Sequence, residues 1–408
     1  MLDKICIIIG AGHSAAQMSV SLRQEGWKGR IIIVGDEDAL PYHRPPLSKA
    51  YLAGTKELSN ILIRPAAFYE KQQIEFNLGV GLQAIDPDNK TITLNNGDIL
   101  HYDKLALTLG SKVRKLAIPG AELPGISYLK TAKDVDYIKT LAIQDKKAVI
   151  IGGGYIGLET AAVLRKLGMD VTVLEMMPRV LERVTAPPLS EFYTRVHTEE
   201  GVKIVTEVIV SSIEAHINQN TVVCTNNDRY PADLIIVGVG VLPNQEIAQQ
   251  AGLTVSNGIE VNEFACTSDP DIVASGDCAW HYNPIYKKHI RLESVQNATE
   301  QAKTAAAYLC GKQAAYNTLP WFWSDQYDMK LQIAGLSQGY DSFVVRGDIQ
   351  QGRRFAVFYL LDQRVIAVDA VNSPAEFMIG KKLIIENIIV AEDKLANVDI
   401  SMKDMLAV

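Results

Sequence analysis

The 408-residue chain has five cysteines, Cys6, Cys224, Cys266, Cys278 and Cys310, and no two form a CxxC or zinc-ligand spacing. That excludes a disulfide scaffold and a structural zinc site. Scattered thiols point instead to a reduced, cytoplasmic protein. The seven histidines include no HxxxH pair, so no metal is expected. No uninterrupted apolar run approaches the ~18 residues of a membrane span. The opening MLDKICIIIGAG lacks a basic n-region and a small-residue cleavage site, and is not expected to act as a secretory signal. Net charge is −7, so the chain shows no overall basic footprint for nucleic acid. Hydrophobic residues make up 48% and charged residues 21%, which sets aside disordered and fibrous classes. At ~150 residues per domain, two large or three ordinary domains are expected.

What is present is more specific. Residues 5–9 (ICIII) form a short apolar run, as a parallel strand buried on both faces requires. Gly10-Ala11-Gly12-His13-Ser14-Ala15 follows, then a helical pattern, then the strand IIIVG at 31–35. This is a βαβ unit with a GxGxxA turn. Gly10 permits the turn, Gly12 lets backbone approach a pyrophosphate, and Ala15 permits close helix packing. The helix start offers N–H groups to phosphate. Asp36, Glu37 and Asp38 stand where a carboxylate can bond a ribose hydroxyl.

The unit recurs. KAVII at 147–151 leads into Gly152-Gly153-Gly154-Tyr155-Ile156-Gly157, a helix, the strand VTVL at 171–174, and Glu175. Two such units predict two different dinucleotides. An N-terminal unit is typical of FAD, and an internal one of NAD(P). Glu175 favours the 2′-OH of NADH over the 2′-phosphate of NADPH.

Further along, 91–110 reads as a hairpin and a buried strand, and 201–243 as several strands. Asp277 follows Gly276 at a strand end, before a helix-like segment. ESVQNATEQAKTAAAYLCG, from 293, reads as a helix. A composition break at Pro320-Trp321-Phe322-Trp323 precedes alternating strands and a helical tail.

Several segments carry a resemblance that spans nearly the whole chain. They are PYHRPPLSK at 41–49, GGGYIGLE at 152–159, RVLERVTAPPLSEFY at 179–193 and PADLIIVGVGVLPN at 231–244. SGDCA at 275–279, ESVQNA at 293–298 and WFWSDQY at 321–327 complete the set. With these the chain resembles the FAD-dependent NADH:ferredoxin reductases, on the putidaredoxin-reductase side of that family.

The resemblance implies an α/β fold: two Rossmann-like dinucleotide-binding domains in a glutathione-reductase-like arrangement, plus a C-terminal α+β domain. It places a discontinuous FAD domain at 1–112 and 244–320, an NAD domain at 113–243, and the C-terminal domain at 321–408. It implies FAD and NADH as cofactors, and a [2Fe–2S] ferredoxin as a transient, electrostatically docked partner serving a P450 or a ring-hydroxylating dioxygenase. It implies catalytic roles for Lys49, paired with Glu159 near flavin N5, and for Tyr155 and Trp323. For FAD it implies Gly10, Gly12, Ser14, Ala15, Asp36, Arg44, Lys49, Val80, Lys130, Asp277 and Val295. For NAD it implies Gly152, Gly154, Tyr155, Ile156, Gly157, Glu175 and Gly240.

The chain departs from the family at Thr108-Leu109-Gly110, where Ala-Thr-Gly is usual, and at Lys130, where arginine is frequent. No cysteine lies between Cys6 and Cys224, so the flavin-side dithiol of glutathione reductase and the single peroxidase cysteine are both missing. Electrons are therefore expected to leave the flavin directly. The run Lys287-Lys288-His289-Ile290-Arg291 is expected to offer a basic docking patch. A rubredoxin reductase and an NADH oxidase are alternatives on the same scaffold. An apoptosis-inducing-factor-like signalling protein is a third, against which the acidic balance argues.

Overall fold

The strand Ile5–Ile9 is the middle of a five-stranded parallel sheet in a computed structural model that describes residues 4–217 and 219–406. It pairs with Arg30–Gly35 on one side and Lys104–Leu107 on the other. Ile74–Leu78 and Ile272–Ala274 complete the edges, all parallel. Isoleucine and valine fill its interior because both faces are covered. On one face, Ala15, Met18 and Leu22 of the helix His13–Glu25 join Ala302, Ala305 and Ala306 of the helix Val295–Leu309. The alanines on both helices let the two pack closely on one another. On the other face, Ile7, Ile9 and Val34 pack against Ile85, Ile92 and Leu94 of a three-stranded antiparallel ribbon.

A second parallel sheet is centred on Lys147–Ile151, between Asp170–Leu174 and Leu234–Val237. Lys203–Val205 and Ile126–Tyr128 form its edges. The C-terminal residues build a five-stranded antiparallel sheet in the order Trp321–Gln326, Met329–Gly335, Arg364–Val371, Arg354–Leu361, Ser342–Asp348. The helix Pro374–Ile385 covers it so closely that a Cβ on Gly380 would come within 2.5 Å of Val368 Cγ1.

The chain folds as two compact units. The first contains the residues up to His43, with Leu58–Lys112 and Val241–Pro320. The second contains Arg44–Glu57, Val113–Gly240 and the chain from Trp321 on. Three details differ from the sequence reading. The chain from Trp321 on, expected as a domain of its own, falls in one unit with Val113–Gly240. Residues 44–57, expected within the first domain, pack with the second unit. The segment after Asp277 is the strand Ala279–Asn283, not a helix. Its side chains alternate between buried and exposed, and it pairs with both Gly258–Val261 and Lys288–Ile290. Sheet pairing on both edges decides its conformation.

Each unit buries one histidine. Burial lowers the pKa of His281, whose two ring nitrogens lack partners, to about 4. Burial likewise lowers His197 to about 4. Between pH 4 and 6.5 each ring is neutral when folded and charged when unfolded. The unfolded chain then binds more protons, so stability falls as pH drops through that window. Asp369 opposes this, because burial raises its carboxyl to about 7. It holds a proton when folded that the unfolded chain gives up. His281→Leu is therefore expected to lose about 2 kcal/mol less stability than wild type between pH 7 and pH 5. Urea melts at the two pH values measure the difference, and parallel loss in both proteins contradicts it.

Candidate functional site

The two glycine turns are built alike. The Gly10 N–H donates to Val34 O at 2.7 Å, and the Gly152 N–H to Leu174 O at 2.8 Å. Both glycines have positive φ, +102° and +112°. A Cβ on Gly10 would lie 2.3 Å from Thr108 O, and one on Gly152 2.4 Å from Gly238 O. Only glycine fits where the turn presses on the next strand. Gly157 is equally constrained, its Cβ position being 2.2 Å from Gly152 O.

Gly12 and Gly154 differ. A Cβ on either meets no protein atom within 4 Å. These glycines cap their helices without any side-chain acceptor, so first-turn N–H groups are available for an anion. The donor set and the open approach fit a dinucleotide pyrophosphate at each turn.

In the first unit the turn is tied to the 275–277 segment. Ser14 Oγ and Ser275 Oγ are 2.6 Å apart, and Ala15 is fully buried behind them. Gly276 N–H donates to Gln301 Oε1 at 2.9 Å. Asp277 Oδ2 accepts from Ser111 Oγ at 2.9 Å, which aims the carboxylate. Asp36 is exposed at the end of its strand, while its neighbour Glu37 accepts from Tyr42 OH at 2.6 Å. Val80 donates its N–H to Gly35 O at 3.0 Å and packs on the apolar cluster beneath. Val295 is the first residue of its helix, capped by Ser294 Oγ, which accepts from Asn297 N–H at 3.1 Å. Leu109 has no side-chain hydroxyl to offer, and Thr108 before it commits its own to Ile9 O, to which it donates at 2.8 Å. Cys278 lies fully buried beside Asp277, and burial pushes its thiol up to about 11. A thiol so held is not a nucleophile at neutral pH.

The second unit gathers the expected catalytic residues. Pro45–Ser48 forms a single 3-10 turn with proline at its start, where a missing N–H costs nothing. It delivers Lys49 to Glu159, and Lys49 Nζ lies 2.6 Å from Glu159 Oε2. The pair is largely buried, with side-chain exposures of 19% and 5%. Ser48 Oγ donates to the same Oε2 at 2.5 Å, and Ser324 Oγ to Oε1 at 2.7 Å. Neither serine was singled out from the sequence. Both lie in the segments that carried the resemblance, 41–49 and 321–327.

Tyr155 packs its ring on Phe322, with centroids 5.1 Å apart. Its hydroxyl is buried without a partner, and burial holds its pKa well above the ordinary value. Trp323 flanks the same Phe322 at 6.4 Å and Trp321 at 5.6 Å. Ile156, beside the turn, is 48% exposed. Glu175 accepts from Gly153 N–H at 2.6 Å through Oε2, and from Met177 N–H at 2.8 Å through Oε1. Both carboxylate oxygens are thus fixed at the end of the strand. Gly240, at φ +104°, accepts from Arg114 N–H at 2.9 Å. Arg44 and Lys130 belong to this unit as well, and Arg44 Nη1 donates to Lys130 O at 3.2 Å.

The basic run is only partly as expected. Lys287 is exposed at the hairpin tip. Arg291 is turned inward, 10% exposed and 2.7 Å from Glu293 Oε1. It is committed to Glu293 and to the Asp277 carbonyl, which it reaches at 3.1 Å. No group of three or more metal-ligating side chains is present among the described residues. Nor is any of their helices long and apolar enough to cross a membrane.

Residues 4–302 match the pyridine nucleotide-disulphide oxidoreductase family, and residues 321–406 match the reductase C-terminal domain. Putidaredoxin reductase of Pseudomonas putida is 44% identical over 98% of this chain and 96% of its own length. Rubredoxin-NAD(+) reductase of Pseudomonas putida is 36% identical over 90% of this chain and 96% of its own. A solved covalent putidaredoxin reductase–putidaredoxin complex superposes with a TM-score of 0.96 at 43% identity, covering 100% of this chain and 99% of the other.

Proposed function

The chain belongs to the pyridine nucleotide-disulphide oxidoreductase family, and from that premise we propose an FAD-dependent NADH:ferredoxin reductase. It takes a hydride from NADH and passes electrons singly to a [2Fe–2S] ferredoxin that serves a P450 or a ring-hydroxylating dioxygenase. The observation that carries this reading is the doubled glycine turn, each with an open approach to first-turn N–H groups. Its assignment to FAD in the first unit and NADH in the second is part of the proposal.

When bound, FAD accepts two electrons from NADH and releases them one at a time. The chain's own residues do the rest. Gly10, Gly12, Ser14 and Ala15 shape the first turn, Asp36 takes a ribose hydroxyl, and Asp277 takes a sugar-chain hydroxyl. Arg44 and Lys130 would supply positive charge for phosphates, while Val80 and Val295 supply apolar contact. Lys49, held by Glu159, would supply a fixed cation to offset negative charge on a bound flavin. Tyr155 and Trp323 are aromatic walls, Tyr155 guarding nicotinamide entry. Gly152, Gly154, Ile156, Gly157 and Gly240 form the NADH cradle. Glu175 presents a fixed carboxylate that bonds a 2′-OH and repels a 2′-phosphate.

The exposed Lys287 and its neighbour Lys288 offer charge to an acidic carrier. Free thiols throughout the described residues suit a reducing cytoplasm. The test is anaerobic titration of the FAD-loaded enzyme. About one equivalent of NADH is expected to bleach the flavin, with NADPH at least ~100-fold slower, as a like-charge contact at Glu175 demands. Equal rates with both coenzymes contradict the Glu175 assignment, and no bleaching contradicts the function.

A further inference from the structure

A line of hydrogen bonds runs inward from the Lys49–Glu159 pair. Ser324 Oγ lies 2.7 Å from Glu159 Oε1, and Gln326 Nε2 lies 3.1 Å from Ser324 Oγ. Gln326 Oε1 is 2.8 Å from His197 Nε2, and Tyr327 OH is 3.3 Å from His197 Nδ1. Glu159, Ser324, Gln326 and His197 are all buried, with exposures of 4%, 0%, 1% and 0%. The contacts join three elements of one unit: the helix Tyr155–Lys166, the helix Pro187–Glu199 and the strand Trp321–Gln326.

Proton counting fixes the direction of every bond. Glu159 is an ionised acceptor, because Lys49 Nζ sits 2.6 Å from its Oε2. An ionised carboxylate accepts only. Ser324 has one proton and must give it to Glu159. Its oxygen must then accept, so the Gln326 group facing it is the NH₂. The amide oxygen of Gln326 therefore faces His197, and His197 must carry its proton on Nε2. Nδ1 is left as the acceptor for Tyr327 OH. All four donors point toward Glu159, and donors aligned in this way polarise one another in the same sense.

We propose that Ser324, Gln326 and His197 are positioning residues, a one-way relay that holds the Glu159 carboxylate charged and in a single orientation, and through it holds Lys49. The relay rests on the reading that the Lys49–Glu159 pair serves flavin reduction. It also makes the tautomer of His197 a reporter of the charge on Glu159, three hydrogen bonds away. Burial lowers the His197 pKa to about 4, so the ring is neutral at pH 7 and its tautomer is well defined.

The test uses FAD-loaded enzyme labelled with ¹⁵N-histidine, with His197 assigned by the signal lost in His197→Gln. At pH 7 the His197 Nε2 is expected as the protonated nitrogen and Nδ1 as the bare one. In Glu159→Gln the side-chain amide can donate to Ser324, the line can reverse, and the Nδ1–H form is expected to appear. Ser324→Ala breaks the line. It is expected to slow flavin reduction at saturating NADH about tenfold, the effect of one lost hydrogen bond to a charged group, with KM for NADH within about twofold of wild type. Ser324→Thr keeps the hydroxyl and is expected to recover the rate. An Nδ1–H tautomer in wild type overturns the relay, as does a Ser324→Ala rate equal to wild type. If Glu159→Gln shifts the tautomer and leaves flavin reduction intact, the relay stands and the catalytic reading of the pair falls.

Discussion

Replacing Lys49 with methionine is expected to slow reduction of the flavin by NADH ~100-fold or more and to destabilise the protein by about 3–5 kcal/mol. The two effects have one origin. The Glu159 side chain is 5% exposed, and Lys49 is its one cationic partner among the described residues. Without the ammonium, Ser48 and Ser324 still donate to the carboxylate, but an uncompensated charge stays buried, and that cost dominates. Glu159→Gln in the Lys49→Met background removes the charge. The double variant is expected to regain most of the stability and none of the rate. Urea melts and anaerobic stopped-flow traces on wild type, both single variants and the double variant form a complete cycle. A double variant as unstable as the sum of its singles contradicts a buried, coupled pair. One that recovers the rate contradicts the role of the lysine cation.

The second large effect concerns Gly154. A Cβ there meets no protein atom within 4 Å, and the backbone at φ −80° suits any residue. Gly154→Val is therefore expected to leave folding and FAD content unchanged. A branched side chain at the start of the helix blocks the backbone approach to a pyrophosphate, so NADH affinity is expected to fall ~100-fold or more. Chemical reduction of the flavin by dithionite stays normal. Gly157→Ala is the contrast. Its Cβ would lie 2.2 Å from the Gly152 carbonyl oxygen, so the helix must shift and stability falls with affinity. A Gly154→Val enzyme with wild-type KM for NADH contradicts the placement of the coenzyme at this turn.

The parts of the site legible in the sequence are those built from neighbours in the chain. Both strand–turn–helix units could be read because Gly10 and Gly152 mark where the turn presses on the next strand, and because ICIII and KAVII are continuous apolar runs. Glu175 was legible for the same reason, standing at a strand end within the unit it serves. The Lys49–Glu159 pair spans 110 positions and entered only through the resemblance. Ser324 and Gln326 lay inside a resemblance segment without a role of their own, and His197 carried no local signal. Their partners lie on other elements, and a serine or glutamine in a strand looks ordinary until the packing is known. The helix expected after Asp277 failed because strand pairing on both edges outweighed local pattern. Arg291 reads as part of a basic run, and only the fold reveals that Glu293 and the Asp277 carbonyl claim it.

The most direct test of the central claim is electron delivery after anaerobic reduction by NADH. Putidaredoxin serves as the [2Fe–2S] probe and cytochrome c as the terminal acceptor. Rapid cytochrome c reduction is expected only when the ferredoxin is present, with slow oxygen consumption in its absence. Fast oxygen consumption without any carrier, or transfer to rubredoxin and not to the [2Fe–2S] protein, contradicts it.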